Sequence, residues 1–126
     1  MLTDDDAEVA VSVPLGDWLF IDAAMDNAVQ SARDTDNDAE AEVGQRIREA
    51  GWRATGHLTR PVFDSGVWPP SDDVLSQVVT VPLRRSEWSF VLSTLHRGNV
   101  SRTALGQIED AVRAAAIVRA LTAKLL

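Results

Sequence analysis

Three groups of residues have the types and spacing for binding chemistry, and the first is an acidic run. Its carboxylates are Asp34, Asp36, Asp38, Glu40 and Glu42. Oxygen donors at alternate positions are typical of a calcium loop, but Ala39 stands where that loop needs glycine and Gln45 where it needs a bidentate glutamate. We therefore expect no metal site. We interpret the run as a surface for a protein partner, with a purely solvated turn as the alternative.

The second group is basic. Arg84 and Arg85 precede a predicted helix, where arginines and backbone amides can jointly hold a phosphate. Arg97 and Arg102 would extend this surface, so these four residues are the candidates for nucleic-acid contact. The alternative is a solubilising turn or salt bridges to the acidic half. The net charge of -7 does not favour nucleic acid, because duplex affinity comes chiefly from phosphate neutralisation.

The third group is Val67-Trp68-Pro69-Pro70. A tryptophan before two prolines can be a rigid exposed anchor, since the prolines lower the entropic cost of presenting it. It can equally be a lid packed onto the core, which is the interpretation we favour. Trp68 is nevertheless included among the partner-binding candidates.

The chain offers little for catalysis. It has no cysteine, which excludes disulfides, thiolate zinc sites and cysteine nucleophiles. His57 and His96 have no neighbouring ligands at metal spacing, and no phosphate-binding loop, serine-hydrolase elbow or zinc-protease motif occurs. We therefore expect a non-enzymatic protein without a cofactor.

Length and composition indicate one globular domain over residues 1–126, with 45% hydrophobic and 25% charged residues. No apolar run approaches the roughly 20 residues of a membrane helix, and the acidic start differs from a signal peptide. We expect a cytoplasmic location.

An internal repeat organises the elements that carry these groups. Val11-Ser12-Val13-Pro14-Leu15 returns as Val79-Thr80-Val81-Pro82-Leu83, and each copy leads to a tryptophan, Trp18 or Trp88, at the start of a helical pattern. The two tryptophans are predicted to be equivalent core residues. The repeat units span about 9–51 and 77–126, and an irregular segment of about 52–76 joins them.

Periodicity and breaking residues predict the individual elements. In the first unit these are a strand over 9–15, a helix from an Asp17 cap to about Ser31, and a helix over Ala39–Ala50 that Gly51 stops. In the middle they are a short strand within Trp52–Leu58 and a helical turn from a Ser71 cap to about Gln77. In the second unit they are a strand over 79–83, a helix from a Ser86 cap to Arg97 that Gly98-Asn99 breaks, and a helix from about Arg102 to Leu126.

A strand followed by two helices cannot bury its apolar face alone. The sequence therefore predicts an α+β fold in which two strand-helix-helix units pack with pseudo-twofold symmetry around a small antiparallel sheet. The last helix ends in Leu121, Leu125 and Leu126, and a homodimer through this helix is a further alternative.

This order of elements resembles the ribbon-helix-helix class of DNA-binding proteins, in two copies within one chain. The resemblance implies a two-stranded ribbon whose outward side chains read bases in the major groove. The outward positions here would be Ser12, Pro14, Thr80 and Pro82, none of which makes a bidentate base contact.

Charge decides between the functional interpretations. Residues 1–50 hold 13 acidic and 3 basic residues, a net charge of -10, whereas residues 79–126 hold 3 acidic and 7 basic residues, a net charge of +4. We expect a protein-protein interaction with a basic partner, steered by the acidic half, with an inhibitor or DNA mimic as a special form. The alternative is a DNA-binding regulator that uses the basic second half.

Overall fold

A computed structural model describes residues 6–68, 70–104 and 106–125, with the backbone alone for residues 99–104. The elements, in chain order, are β1 (Glu8–Pro14), α1 (Leu15–Asp34), α2 (Asp38–Ser65), α3 (Asp72–Leu75), β2 (Val78–Arg84), α4 (Arg85–Ala104) and α5 (Ile108–Leu125). The predicted α+β class is therefore confirmed.

The two strands form an antiparallel sheet, as predicted. Val11 lies opposite Val81 and Val13 opposite Val79, with all four side chains buried. Between them Ser12 faces Thr80 on the exposed side, and their hydroxyls are hydrogen-bonded at 2.8 Å. The alternation of valine with hydroxyl residues places one face of the sheet in the core and leaves the other face in water.

The core is centred on two tryptophans. Trp18 on α1 and Trp88 on α4 are each 1% exposed, and their rings meet edge to face with centroids 6.5 Å apart. The prediction that both are core residues is confirmed. Their indole groups differ: Trp88 Nε1 donates to the Val9 carbonyl at 2.9 Å, whereas Trp18 Nε1 is buried without a partner among the described residues.

Each strand runs directly into the helix that follows it, so the predicted caps Asp17 and Ser86 are wrong. The N-cap of α1 is Pro14, whose φ of -60° suits a residue just before a first turn. At α4, which begins at Arg85, the amide of Ser86 instead receives a cap from a carboxylate elsewhere in the chain, that of Asp6.

The longest helix, α2, contradicts the prediction of a stop at Gly51. It continues through Gly51 and Pro61 for 28 residues, which also removes the strand predicted within Trp52–Leu58. A Cβ at Gly51 would lie 2.0 Å from Cζ2 of Trp18. The glycine is therefore present because two helices approach closely, and not because the helix ends. Gly66, with a φ of 72°, follows the last turn.

The second unit departs from prediction in the same way. Gly98-Asn99 does not break α4, which continues to Ala104. Gly106, at a φ of 78°, instead lies in the turn before α5, which spans 18 residues from Ile108. Leu121 is fully buried and Leu125 packs against the core, so these leucines are used within the chain; Leu126 lies outside the described residues.

The helices cross between the halves of the chain. α2 packs beside β2 and α5 beside β1, where Lys124 Nζ donates to the Ser12 carbonyl. Arg113 of α5 also donates to the Gly16 carbonyl of α1, at 2.9 Å. These contacts join the two halves around one core. In the described part of the chain, no helix has the length and apolar character needed to cross a membrane.

Candidate interaction surfaces

The predicted acidic run, residues 34–42, spans the end of α1, the turn that follows and the beginning of α2, and it is called here the acidic turn. Asn37 caps α2 by accepting the Glu40 amide at 3.3 Å, and its Nδ2 donates to the Glu40 carboxylate at 2.9 Å. Asp36 has a φ of 57°, the left-handed conformation that closes the turn. The side chains of Asp34, Asp36, Asp38 and Glu42 are exposed. Among the described residues, no group of three or more acidic or histidine side chains is placed to hold a metal ion.

Glu40 is the member of the acidic turn with a partner in the second half of the chain. Its Oε1 lies 3.5 Å from Arg97 Nη2, and the same nitrogen contacts the Thr94 hydroxyl at 3.5 Å. A partner-binding candidate is thus paired with a nucleic-acid candidate. The pair stands at the edge of an open cleft of about 440 Å³ between α1 and α4, which is lined largely by alanines and hydroxyl side chains.

Trp68 lies on the surface at the other end of α2. It is 55% exposed, and its ring stacks on that of Phe63, with centroids 5.2 Å apart and planes 2° from parallel. Phe63 and Val67 are 64% and 67% exposed. The interpretation of Trp68 as a lid on the core is therefore wrong, and its alternative, an exposed side chain, is observed. Pro69 of the same motif lies outside the described residues.

Trp52 is another exposed aromatic residue of α2, eleven residues before Phe63. It is 46% exposed, and the Arg48 guanidinium lies 4.9 Å from the centre of its ring. Arg48 is itself held by Asp22 at 3.1 Å and Asp26 at 3.0 Å, both on α1. The fold thus fixes a cation against one side of an exposed aromatic ring. We call the side chains of Trp52, Phe63, Val67 and Trp68 the aromatic patch.

Sequence reasoning identified only Trp68 in this patch. Trp52 and Phe63 are eleven residues apart, a spacing that places both on one flank of a helix. That signal exists only if the helix continues past Gly51, which the sequence did not predict.

A groove runs along α2 beside the aromatic patch. The groove has a volume of about 660 Å³. It is lined by Trp52, Arg53, Gly56, His57, Arg60, Pro61 and Asp64. Arg53 and Arg60 are exposed and belong to none of the salt bridges of the described residues. His57 is also exposed here, whereas His96 is exposed on α4. We call this surface the basic groove.

The predicted nucleic-acid residues are not gathered into one surface. Arg84 and Arg85 are exposed where β2 meets α4, and Arg84 lies opposite Glu8 in the sheet. Arg97 is twelve residues further along α4, about 18 Å at 1.5 Å per residue. The side chain of Arg102 lies outside the described residues. The outward positions of the ribbon, Ser12, Pro14, Thr80 and Pro82, are exposed.

The predicted partner-binding residues are also divided. The acidic turn lies at the beginning of α2 and Trp68 just beyond its end, so the two are separated by a helix of 28 residues. At 1.5 Å per residue this helix is about 42 Å long. One small contact cannot include both. Comparison of the chain with protein-family models, curated proteins and solved structures found no match.

Proposed function

We propose that the protein is a non-enzymatic binding protein that acts through protein-protein contact at the aromatic patch. The supporting observation is that Trp52, Phe63, Val67 and Trp68, which range from 46% to 67% exposed, lie along the second half of α2 and just beyond its end. Single exposed apolar residues are normal, but grouped ones mark interaction sites. Tryptophan is also the residue type most enriched among the anchors of protein interfaces.

The patch is preorganised for binding. Phe63 lies in the last turns of α2 and Trp68 stacks on it, while the Arg48 guanidinium lies against the ring of Trp52. Side chains that are already ordered lose little rotamer freedom when a partner covers them. This lowers the entropic cost of forming the complex.

The acidic turn has a separate part in this proposal. Its exposed carboxylates belong to the half of the chain with a net charge of -10, and they would steer a protein with a basic surface toward the molecule. An inhibitor whose carboxylates occupy the nucleic-acid site of that protein is the special form of the proposal.

We also propose that the chain is an internal duplication with pseudo-twofold symmetry. The sheet register supports this, because Ser12 and Thr80, which correspond in the sequence repeat, lie directly opposite each other. The crossed packing of α2 with β2 and of α5 with β1 supports it as well. On this proposal the function is carried by surfaces that the units do not share, the acidic turn of the first unit and the aromatic patch of the segment that joins them.

The function is tested by affinity capture from a lysate of the native host. The double variant Phe63→Ala/Trp68→Ala should recover at least about tenfold less of any specific partner than wild type, because anchor residues contribute most of the binding energy. Ile108→Ala/Val112→Ala is the matched control, since Ile108 and Val112 are 53% and 61% exposed on α5. Circular dichroism checks that both variants remain folded. Equal recovery by both, or no specific partner with wild type, contradicts the proposal.

The second candidate function is DNA binding by the second half of the chain. Arg84 and Arg85 support it, because they are exposed beside the exposed face of the ribbon and take part in none of the salt bridges among the described residues. Duplex binding should then weaken steeply with salt and should fall in Arg84→Ala/Arg85→Ala. If wild-type protein does not retard duplex DNA in low salt, this candidate is rejected.

A further inference from the structure

Gly56 is a glycine that the fold does not need. A Cβ at Gly44 would lie 2.7 Å from Val29 Cγ2, and one at Gly51 would overlap Trp18, so both positions exclude a side chain. At Gly56 a Cβ would have nothing within 4 Å. Glycine inside a helix costs about 0.5–1 kcal/mol relative to alanine. The missing side chain therefore brings no benefit to internal packing, and it leaves a depression on the outer surface.

The depression lies between the two aromatic ends of the patch. Trp52 precedes Gly56 by four residues and Phe63 follows it by seven, which are about one and two helical turns. All three therefore lie on one flank of α2, with the aromatic residues about 17 Å apart along the axis. A large side chain of a partner can approach the backbone at Gly56 with an aromatic group on either side.

The charge of the basic groove is opposite to that of the whole molecule. Arg53, Arg60 and His57 line it beside Gly56, and Asp64 is the acid that lines it. Arg53 and Arg60 have no carboxylate within salt-bridge distance among the described residues, although the chain has a net charge of -7. Two arginines against one aspartate leave the lining with an excess of positive charge, and charge complementarity therefore favours an anionic occupant.

We propose that the basic groove binds a short acidic segment of a partner protein. One apolar side chain of that segment lies over Gly56 between Trp52 and Phe63, and flanking carboxylates pair with Arg53 and Arg60. This proposal rests on the proposed function and deepens it by giving the chemistry of the bound segment. The acidic turn, at the far end of α2, is not part of this contact.

Two other occupants fit the surface less well. A nucleic-acid strand would need many of its phosphates neutralised, and two unpaired arginines in a protein of net charge -7 neutralise few.

A second copy of α2 would place like charges together. Between residues 49 and 64, the part of α2 that lines the groove, the exposed charges are Glu49, Arg53, Arg60 and Asp64, an order that reads the same in both directions. In an antiparallel pair of copies, Arg53 of one copy therefore lies against Arg60 of the other. In a parallel pair, each arginine lies against the same arginine of the other copy.

The test uses a displayed library of random peptides selected on the whole protein. Enriched peptides should carry aspartate or glutamate on both sides of a large apolar residue. Binding of the best peptide should fall at least about tenfold in Arg53→Glu and in Arg60→Glu, because each reversal sets like charges against each other. Arg119→Glu, at an exposed position of α5, is the control and should bind as wild type does. Gly56→Gln should also weaken binding while the protein stays at least as stable, which separates loss of the depression from loss of the fold.

Several results would overturn the proposal. They are a failure to enrich any peptide, enrichment of basic or uncharged peptides, and binding that Arg53→Glu and Arg60→Glu leave unchanged. Binding of a labelled oligothymidine that the same two variants abolish would assign the groove to nucleic acid. A dimer in sedimentation that Trp52→Ala dissociates would assign it to a second copy. If lysate capture depends on Phe63 and Trp68 while the selected peptides are basic, the proposed function stands and this inference fails.

Discussion

At the start of α4, two carboxylates bind backbone amides that no helical carbonyl can reach. Glu87 Oε1 accepts the Arg84 amide at 2.8 Å, and Asp6 Oδ1 accepts the Ser86 amide at 2.9 Å. Together they reproduce a capping box in which Asp6, far away in sequence, takes the place of the usual cap side chain. Asp6, which precedes β1, is thereby joined to the first turn of α4.

The cap also changes the acidity of Asp6. The hydrogen bond from the Ser86 backbone amide is the main cause that lowers the pKa of Asp6 below its ordinary 3.8; a side-chain hydrogen bond from Ser86 and the charge of Arg84 act in the same direction. All three favour the ionised carboxylate. The contact is therefore present at neutral pH.

This predicts how the cap responds to acid. Because the folded pKa of Asp6 is depressed, the contribution of the cap is complete above the unfolded pKa and is lost as the pH falls through the folded value. An NMR titration of the Asp6 carboxyl should have a midpoint below that of a peptide covering residues 4–8. The Ser86 amide should exchange its hydrogen faster in Asp6→Ala than in wild type. A titration equal to that of the peptide would show that the cap does not form.

At the scale of elements, the glycines of α2 give a matched pair of variants. Gly51→Ala would force a Cβ to within 2.0 Å of the buried Trp18 ring, which has little room to move. Overpacking of this kind lowers the free energy of unfolding by about 1–3 kcal/mol. Gly56→Ala meets open space in the same helix and should raise it by about 0.5–1 kcal/mol. Urea unfolding of both variants measures the difference, and equal effects would show that Trp18 does not require Gly51.

The same helix shows why the sequence predicts some elements and not others. The strands are predictable because Val11-Ser12-Val13 and Val79-Thr80-Val81 carry their burial pattern locally. The length of α2 is not, because Gly51 and Pro61 are local signs of a helix end. The contact that explains Gly51 involves Trp18, a residue 33 positions earlier. Local rules do not contain that information.

The candidate surfaces, like the elements, were predictable only where the signal is local in the sequence. The exposed carboxylates of Asp34, Asp36 and Asp38 follow from residues 33–38, which include no apolar residue, and a turn is present there. The sequence analysis offered salt bridges between the basic residues and the acidic half as an alternative, and the pair of Glu40 and Arg97 is one such bridge. Which residues would pair was not predictable, because they lie in different halves of the chain. Trp52 and Phe63 share one surface because α2 is uninterrupted between them. The sequence analysis ended this helix at Gly51, so it did not identify that surface.

For the whole molecule, the crossed packing of the two halves decides how it unfolds. β1 has its sheet partner in β2, α2 packs beside β2, and α5 packs beside β1. Trp18 and Trp88 meet between the halves. Neither half can bury its apolar face alone, so we expect the protein to unfold in one cooperative transition, as small single domains usually do.

Corresponding leucines in the two halves test this cooperativity. Leu15 and Leu83 are 0% and 1% exposed, and truncating a buried leucine to alanine lowers the free energy of unfolding by about 2–5 kcal/mol. A background of Trp52→Phe/Trp68→Phe leaves Trp18 and Trp88, one from each half of the chain, as fluorescent probes. Leu15→Ala and Leu83→Ala should each shift fluorescence and circular dichroism to the same lower urea midpoint, because a defect in one half destabilises both. If either variant separates the two signals into distinct transitions, the halves are independent units, and the single shared core described here is wrong.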